Sequence, residues 1–339
     1  MIFHRLLSPK PAQPVHVDGY RTLPALFNAH DHLELNHYPR TKYRERYDDA
    51  HQWCEDVNNR LDTAPFRELR AAPLGDRLFI GGLKNLLCGA LIVAHHNPPH
   101  RPLFRRDYPV RVVRRYGWAH SLHFNHEQGI SAAYRKTPTN APFFIHLAEG
   151  TSDRAQGEYR RLKALGVVGA NTVIVHGVGL TPEDIVDAAP RIRALVTCPT
   201  TNHYLLGATA DLDAWHAAGG TVWVGSDSRL TADGDMLDEL AALHMPLTFA
   251  AHPTGLGTLD RSDYILIPND IVHAPRRADI ALIVRGGVPR IGHPELMQTY
   301  FPHVATVSAH LDGTPKQVER HLADQIRSCS LQERGFALE

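Results

Sequence analysis

Along this chain, apolar runs recur that each end, on the carboxyl side, in a polar or charged residue: LPALFNAHDH (23–32), ALIVAHH (90–96), FFIHLAE (143–149), TVIVHG (172–177), ALVTCP (194–199) and TVWVGSD (221–227). Short runs of this kind read as parallel strands buried on both faces. Between them lie helical stretches, DRLFIGGLKNLL (76–87), SDRAQGEYRRLKALG (152–166), PEDIVDAAPRI (182–192) and DLDAWHAAGG (211–220). Strand alternating with helix predicts an α/β fold. With 339 residues there is room for a barrel of the usual ~250 residues and a smaller unit besides. The expectation is a TIM-like (β/α)8 barrel over 25–257, in which every strand points its carboxyl end at one face.

One stretch fits that repeat badly. Between ALIVAHH and FFIHLAE only one strand region, VRVVRRYGWAHSL (110–122), and one helix stand out, where a full barrel needs two of each, so the barrel is expected to be eroded there. After about residue 258 the pattern changes to short runs separated by Pro and Gly, YILIPNDIVHAP and ADIALIVRGGVPRIG, which suits antiparallel strands. Residues 1–24 and 258–313 are therefore expected to build a reduced β-sandwich. TPKQVERHLADQIRS (314–328) has the spacing of an amphipathic helix, followed by a tail to 339.

Lysine plus arginine equals aspartate plus glutamate, 36 each, so no overall field draws in nucleic acid or an anionic membrane. The opening residues lack the apolar core of a signal peptide and no run approaches a membrane span, so a cytoplasmic protein with a small-molecule partner is expected. Cys54, Cys88, Cys198 and Cys329 form no CxxC pair and suit reduced thiols. A homodimer is compatible with such a barrel, and no residue pattern here proves one.

Histidine is the compositional anomaly, with 23 copies of a side chain that binds metal and titrates near neutral pH. In NAHDHLELN (28–36), His30 and His32 stand two apart on a strand and can share one ion. Three further strand ends answer them: His146 with Glu149 in HLAE, His176 in TVIVH, and Asp227 in TVWVGSD. Imidazole nitrogens and a carboxylate are the donors zinc takes, and a catalytic zinc keeps one position for water. Iron or manganese would accept the same donors.

The segments NAHDHLEL, HLAEG, VHGVGL, CPTTN and GSDSRLT, in that order, resemble the amidohydrolase superfamily, in the branch of cytosine deaminase, aminofutalosine deaminase and the triazine chlorohydrolases. The resemblance covers roughly residues 20–300. It implies that His30, His32, His146 and Asp227 hold one metal, that His176 touches the bound water or substrate, and that Glu149 shuttles protons. Asp227 would also orient the attacking water. Other branches bridge two metals with a carboxylated lysine before the HxxE strand, but the only lysine from 89 to 145 is Lys136, so one metal is expected. Asp31 stands where relatives commonly carry threonine, and its side chain is expected to point away from the metal.

Weaker candidates surround this set. His120 in WAHSL resembles the family's substrate-contacting histidine, and His95 and His96 end a strand and could line the pocket. Asn202 in CPTTN matches a position expected to tie loops together. Arg101, Arg105, Arg106, Arg111, Arg114 and Arg115 crowd one region, as an anion grip or as a solvated, salt-bridged surface. Tyr38, Tyr43, Tyr47 and Trp53 could stack on a flat heterocycle or pack their own loop. The leading expectation is hydrolytic deamination of an N-heterocycle. The alternatives are hydrolysis of a cyclic amide or other C–X bond, and a metal-binding scaffold without catalysis.

Overall fold

A computed structural model of the chain describes residues 14–232, 234–250, 262–271 and 274–339. The apolar runs form strands whose residues are buried almost without exception, as in FFIHL and TVIVH, because helices or neighbouring strands cover both faces. After β1 (Tyr20–Pro24) come β2 (Leu26–Asp31), β3 (Ala90–His95), β4 (Arg111–Val112), β5 (Gly117–Ser121), β6 (Phe143–Leu147), β7 (Thr172–His176), β8 (Ala194–Thr197) and β9 (Val222–Val224). β2-β3-β4 make one parallel sheet and β5-β6-β7-β8-β9 another.

An isolated parallel bridge between Asp31 and Asp227 brings the first and last of these strands together. Phe27, Ile92, Phe144, Val173, Val196 and Trp223, from strands of both sheets, pack into a common apolar cluster.

The stretch that looked eroded holds two strands, not one. Arg114, an exposed residue whose guanidinium donates to Phe104 O, interrupts the apolar run, so VRVVRRYGWAHSL divides into β4 and β5. Polar residues between two short strands blur into a single run in sequence.

The remaining strands are β10 (Tyr264–Pro268), β11 (Leu282–Arg285), β12 (Val288–Gly292), β13 (Thr306–Leu311), β14 (Thr314–Glu319) and β15 (Phe336–Leu338). With β1 they form one seven-stranded antiparallel sheet, ordered β1-β10-β11-β12-β14-β13-β15. The boundary expected near 257 lies outside the described residues. The helix expected from 314 begins instead at Arg320, and TPKQVE is strand. Asp312 and Gly313, both at positive φ (48° and 82°), close the tight hairpin that pairs β13 with β14, and this overrides the helical spacing. No helix among the described residues is long and apolar enough to cross a membrane.

Candidate metal centre and active site

Three strand ends are held in backbone conformations that L-residues seldom adopt. Ala148, His176 and Asp227 have φ of 53°, 73° and 52°, each at a cost of about 1–2 kcal/mol. Local hydrogen bonds hold them there. Ser226 N–H and Asp227 N–H both donate to His30 O at 3.0 Å, and His32 N–H donates to Asp227 O at 3.0 Å. Only glycine can stand before this turn, since a Cβ on Gly225 would lie 2.6 Å from His30 Cβ. Ala148 N–H donates to the buried Glu158 carboxylate at 2.7 Å.

Four donor atoms meet above these ends. His146 Nε2 lies 3.2 Å from His30 Nε2 and 3.3 Å from His32 Nε2, and Asp227 Oδ1 lies 3.4 Å from both His30 Nε2 and His32 Nε2. Ligands at zinc's 2.0–2.1 Å bond length, arranged tetrahedrally, stand roughly 3.3 Å apart. His30, His32 and Asp227 are close enough to hold a metal ion together, and so are His30, His96 and His146.

Hydrogen bonding assigns the tautomers. His146 Nδ1–H donates to His120 O at 2.8 Å, which leaves the Nε2 lone pair facing the cluster. His96 Nε2–H donates to Ala119 O at 2.9 Å, so His96 Nδ1 accepts from His30 Nδ1–H at 3.2 Å. His30 Nε2 is therefore also an acceptor. Burial drives the His30 pKa down to about 4 and those of His96 and His146 well below the usual imidazole value, so the rings are neutral. Two nitrogen lone pairs facing each other at 3.2 Å repel unless a cation stands between them, and that is why the donor set fits a metal. His96 takes part through His30, since its own free nitrogen is spent on that ring.

Asp227 is fixed from its other oxygen: Thr231 Oγ1–H donates to Oδ2 at 2.7 Å, and Thr201 lies behind Thr231 at 3.0 Å. His176 Nδ1–H donates to Asn202 Oδ1 at 2.8 Å, which turns Nε2 to within 3.5 Å of Glu149 Oε1. Burial, followed by the charges of Asp227, Glu158 and Asp49, raises the Glu149 carboxyl well above the usual range. Its side chain keeps 17% of its exposure, so water can reach it.

Of the remaining candidates, His120 joins the cluster, its ring 4.7 Å from that of His146, with burial lowering its pKa to about 3. His95 does not: its Nδ1 accepts from Leu33 N–H at 3.4 Å and its Nε2 stands 3.9 Å from Glu34. Of the two adjacent histidines at the end of β3, it is His96 that faces the cluster. Arg105 pairs with Asp107 and Arg111 with Asp263, while Arg114 and Arg115 reach Phe104 O and Asn140, as a salt-bridged surface does. Tyr38 and Tyr47 are buried, Trp53 donates to Thr41 O, and Arg60 covers the Tyr43 ring, so these aromatics pack their own loop. Lys136 is exposed at the end of helix Glu127–Lys136. Sequence reasoning gave Thr231 no role and left His96 a weak pocket candidate; the threonine four residues past Asp227 was the one signal available.

The sequence matches no protein-family model. It is 44% identical over 79 residues to aminodeoxyfutalosine deaminase of Deinococcus radiodurans, a match spanning 23% of this chain and 18% of that protein. Among solved structures, adenosine deaminase of Xanthomonas campestris with bound zinc superposes with a TM-score of 0.59 at 14% identity, covering 80% of each chain. Atrazine chlorohydrolase of Arthrobacter aurescens complexed with zinc gives 0.62 at 16% identity, covering 80% of this chain and 83% of that one. The chain shares the fold of these two structures. Three of the five sequence segments, NAHDHLEL, HLAEG and GSDSRLT, carry the four donor atoms, VHGVGL carries His176 beside them, and His96 and His120 lie outside all five.

Proposed function

We propose that this chain is a metal-dependent hydrolase on a (β/α)8 barrel that removes an amino group from an N-heterocyclic small molecule. His30, His32, His146 and Asp227 would hold one divalent ion, zinc in the first instance. The observation that carries the reading is the ring of four donor atoms, two with inward lone pairs fixed by hydrogen bonds, beside a carboxyl poised to carry a proton. A zinc ion held by these residues would supply a water of pKa lowered towards ~7 and a Lewis acid for the electrophile.

This chain's own residues handle orientation and protons. Asp227, tied down by Thr231, accepts a hydrogen bond from the attacking water and aims its lone pair. Water oxygen bonds to the amino-bearing carbon, and Glu149 takes a proton from the water and delivers it to the departing nitrogen. The C–N bond breaks and ammonia leaves. The raised pKa of Glu149 favours the protonated carboxyl that delivers the proton to the departing nitrogen. His176, held neutral by burial and oriented by Asn202, presents Nε2 to Glu149 and to the substrate, and His120 lines the same side.

Glu149→Gln should lower ammonia release from a panel of aminopurines, pyrimidines and pterins by 100-fold or more, with metal content preserved. Unchanged turnover would sink the assignment. The likeness to atrazine chlorohydrolase favours a second reading, in which the same residues displace halide or open a cyclic amide; product analysis on the same panel separates the two.

A further inference from the structure

Asp31, between the paired histidines, is fully buried, and so is Lys84 on helix Leu74–Leu87, their side chains 0% and 1% exposed. Lys84 Nζ stands 2.9 Å from Asp31 Oδ2. Asn85 Nδ2–H donates to the same carboxylate at 2.8 Å, Asn36 Nδ2–H at 2.7 Å, Asn28 Nδ2–H at 3.1 Å and Ser226 Oγ–H at 3.2 Å. Lys84 also reaches Ser226 Oγ at 3.0 Å, and Asn36 accepts from Arg229 N–H at 3.2 Å. One carboxylate thus ties together β2, the loop that follows it, a helix, and the segment after β9. Those segments carry His30, His32 and Asp227.

Removing both charges from water costs several kcal/mol per ion, and the attraction between them seldom returns more than that. An apolar pair of similar volume would hold the fold as well. Apolar contacts lack direction, however, whereas a carboxylate with five donors fixes each of them in angle as well as distance.

We propose that the Asp31–Lys84 pair, with its ring of amides and Ser226, is a positioning centre that sets where His30, His32 and Asp227 present their donor atoms to a divalent ion. This rests on the metal-site reading above. The pair touches neither ion nor substrate and acts through the strand and turn it holds.

The test is the double variant Asp31→Asn/Lys84→Met, which removes both charges at similar volume. Zinc affinity is measured by competition with a chromophoric chelator, and stability by urea unfolding of the metal-free chain. Zinc binding should weaken 10–100-fold, the range seen when residues that orient metal ligands are lost, while the metal-free unfolding midpoint stays level or rises. A double variant that folds and binds zinc within twofold of the parent overturns the proposal. Should the double variant not fold, Ser226→Ala decides: zinc affinity reduced threefold or more at an unchanged midpoint supports the proposal, and parental affinity overturns it. His146→Ala separates the two readings. If it binds zinc as tightly as the parent, the metal site itself is misassigned and both fall; if it loses zinc while the double variant keeps it, only the positioning centre falls.

Discussion

Two buried polar clusters lie a few residues apart in this molecule and are built on opposite terms. Around Glu333 every charge is answered: Arg229 clasps its carboxylate with two nitrogens at 2.7 and 2.6 Å, Arg277 adds a third contact at 2.7 Å, and Arg277 itself pairs with Asp312. Around His146 the opposite holds, with the neutral rings of His30 and His146 turning lone pairs toward one another. The first cluster closes on itself and binds the C-terminal segment to the turn after Asp227. The second is complete only with a cation in it. What separates the two is charge pairing: the first cluster answers its charges from within, and the second turns lone pairs inward that a cation would answer.

Breaking the closed cluster should give the largest effect. Glu333→Ala leaves Arg229 buried without a counter-charge and should cost about 3–5 kcal/mol of stability, read by urea unfolding of the metal-free chain; Glu333→Gln should recover part of it. A loss under 1 kcal/mol would mean that the cluster is not closed in solution.

Glu239 offers a third case, a buried acid that makes no ion pair among the described residues, bonded by Thr200 N–H at 3.0 Å and by the Thr200 hydroxyl. Burial raises its pKa from 4.5 to about 8. The fold keeps a proton that the unfolded chain gives up, so this stability is fully present below 4.5 and is lost as pH rises through 8. The change should be about 2–4 kcal/mol between pH 5 and 8, and Glu239→Gln should flatten that slope in metal-free protein. A parental slope in the variant would place the titration elsewhere.

The open cluster is sharpened by His96→Phe, which removes the acceptor for His30 Nδ1–H while filling the ring's space. Zinc affinity should fall about 10–100-fold with little change in the metal-free midpoint. Unchanged affinity would show that His30 keeps its tautomer without His96.

Much of this could be read in advance, and the reason is local. Buried runs such as TVIVH and FFIHL announce strands because the chain between two layers has no polar option, and His30, His32, His146, His176 and Asp227 stand out because each interrupts or ends such a run. TPKQVE misled because helical spacing in a short segment yields to a hairpin closed by Asp312 and Gly313. β4 and β5 merged in sequence because each is too short to show a period of its own.

Sequence by itself determined the strand–helix alternation and the residue types at each strand end, since both follow from near-neighbour polarity. Tertiary structure alone decided which of His95 and His96 faces the cluster, which imidazole nitrogen carries the proton, and that Asp31 meets Lys84. Those outcomes depend on the carbonyls, amides and rings that arrive from segments 23 to 116 residues away, and no local pattern encodes them.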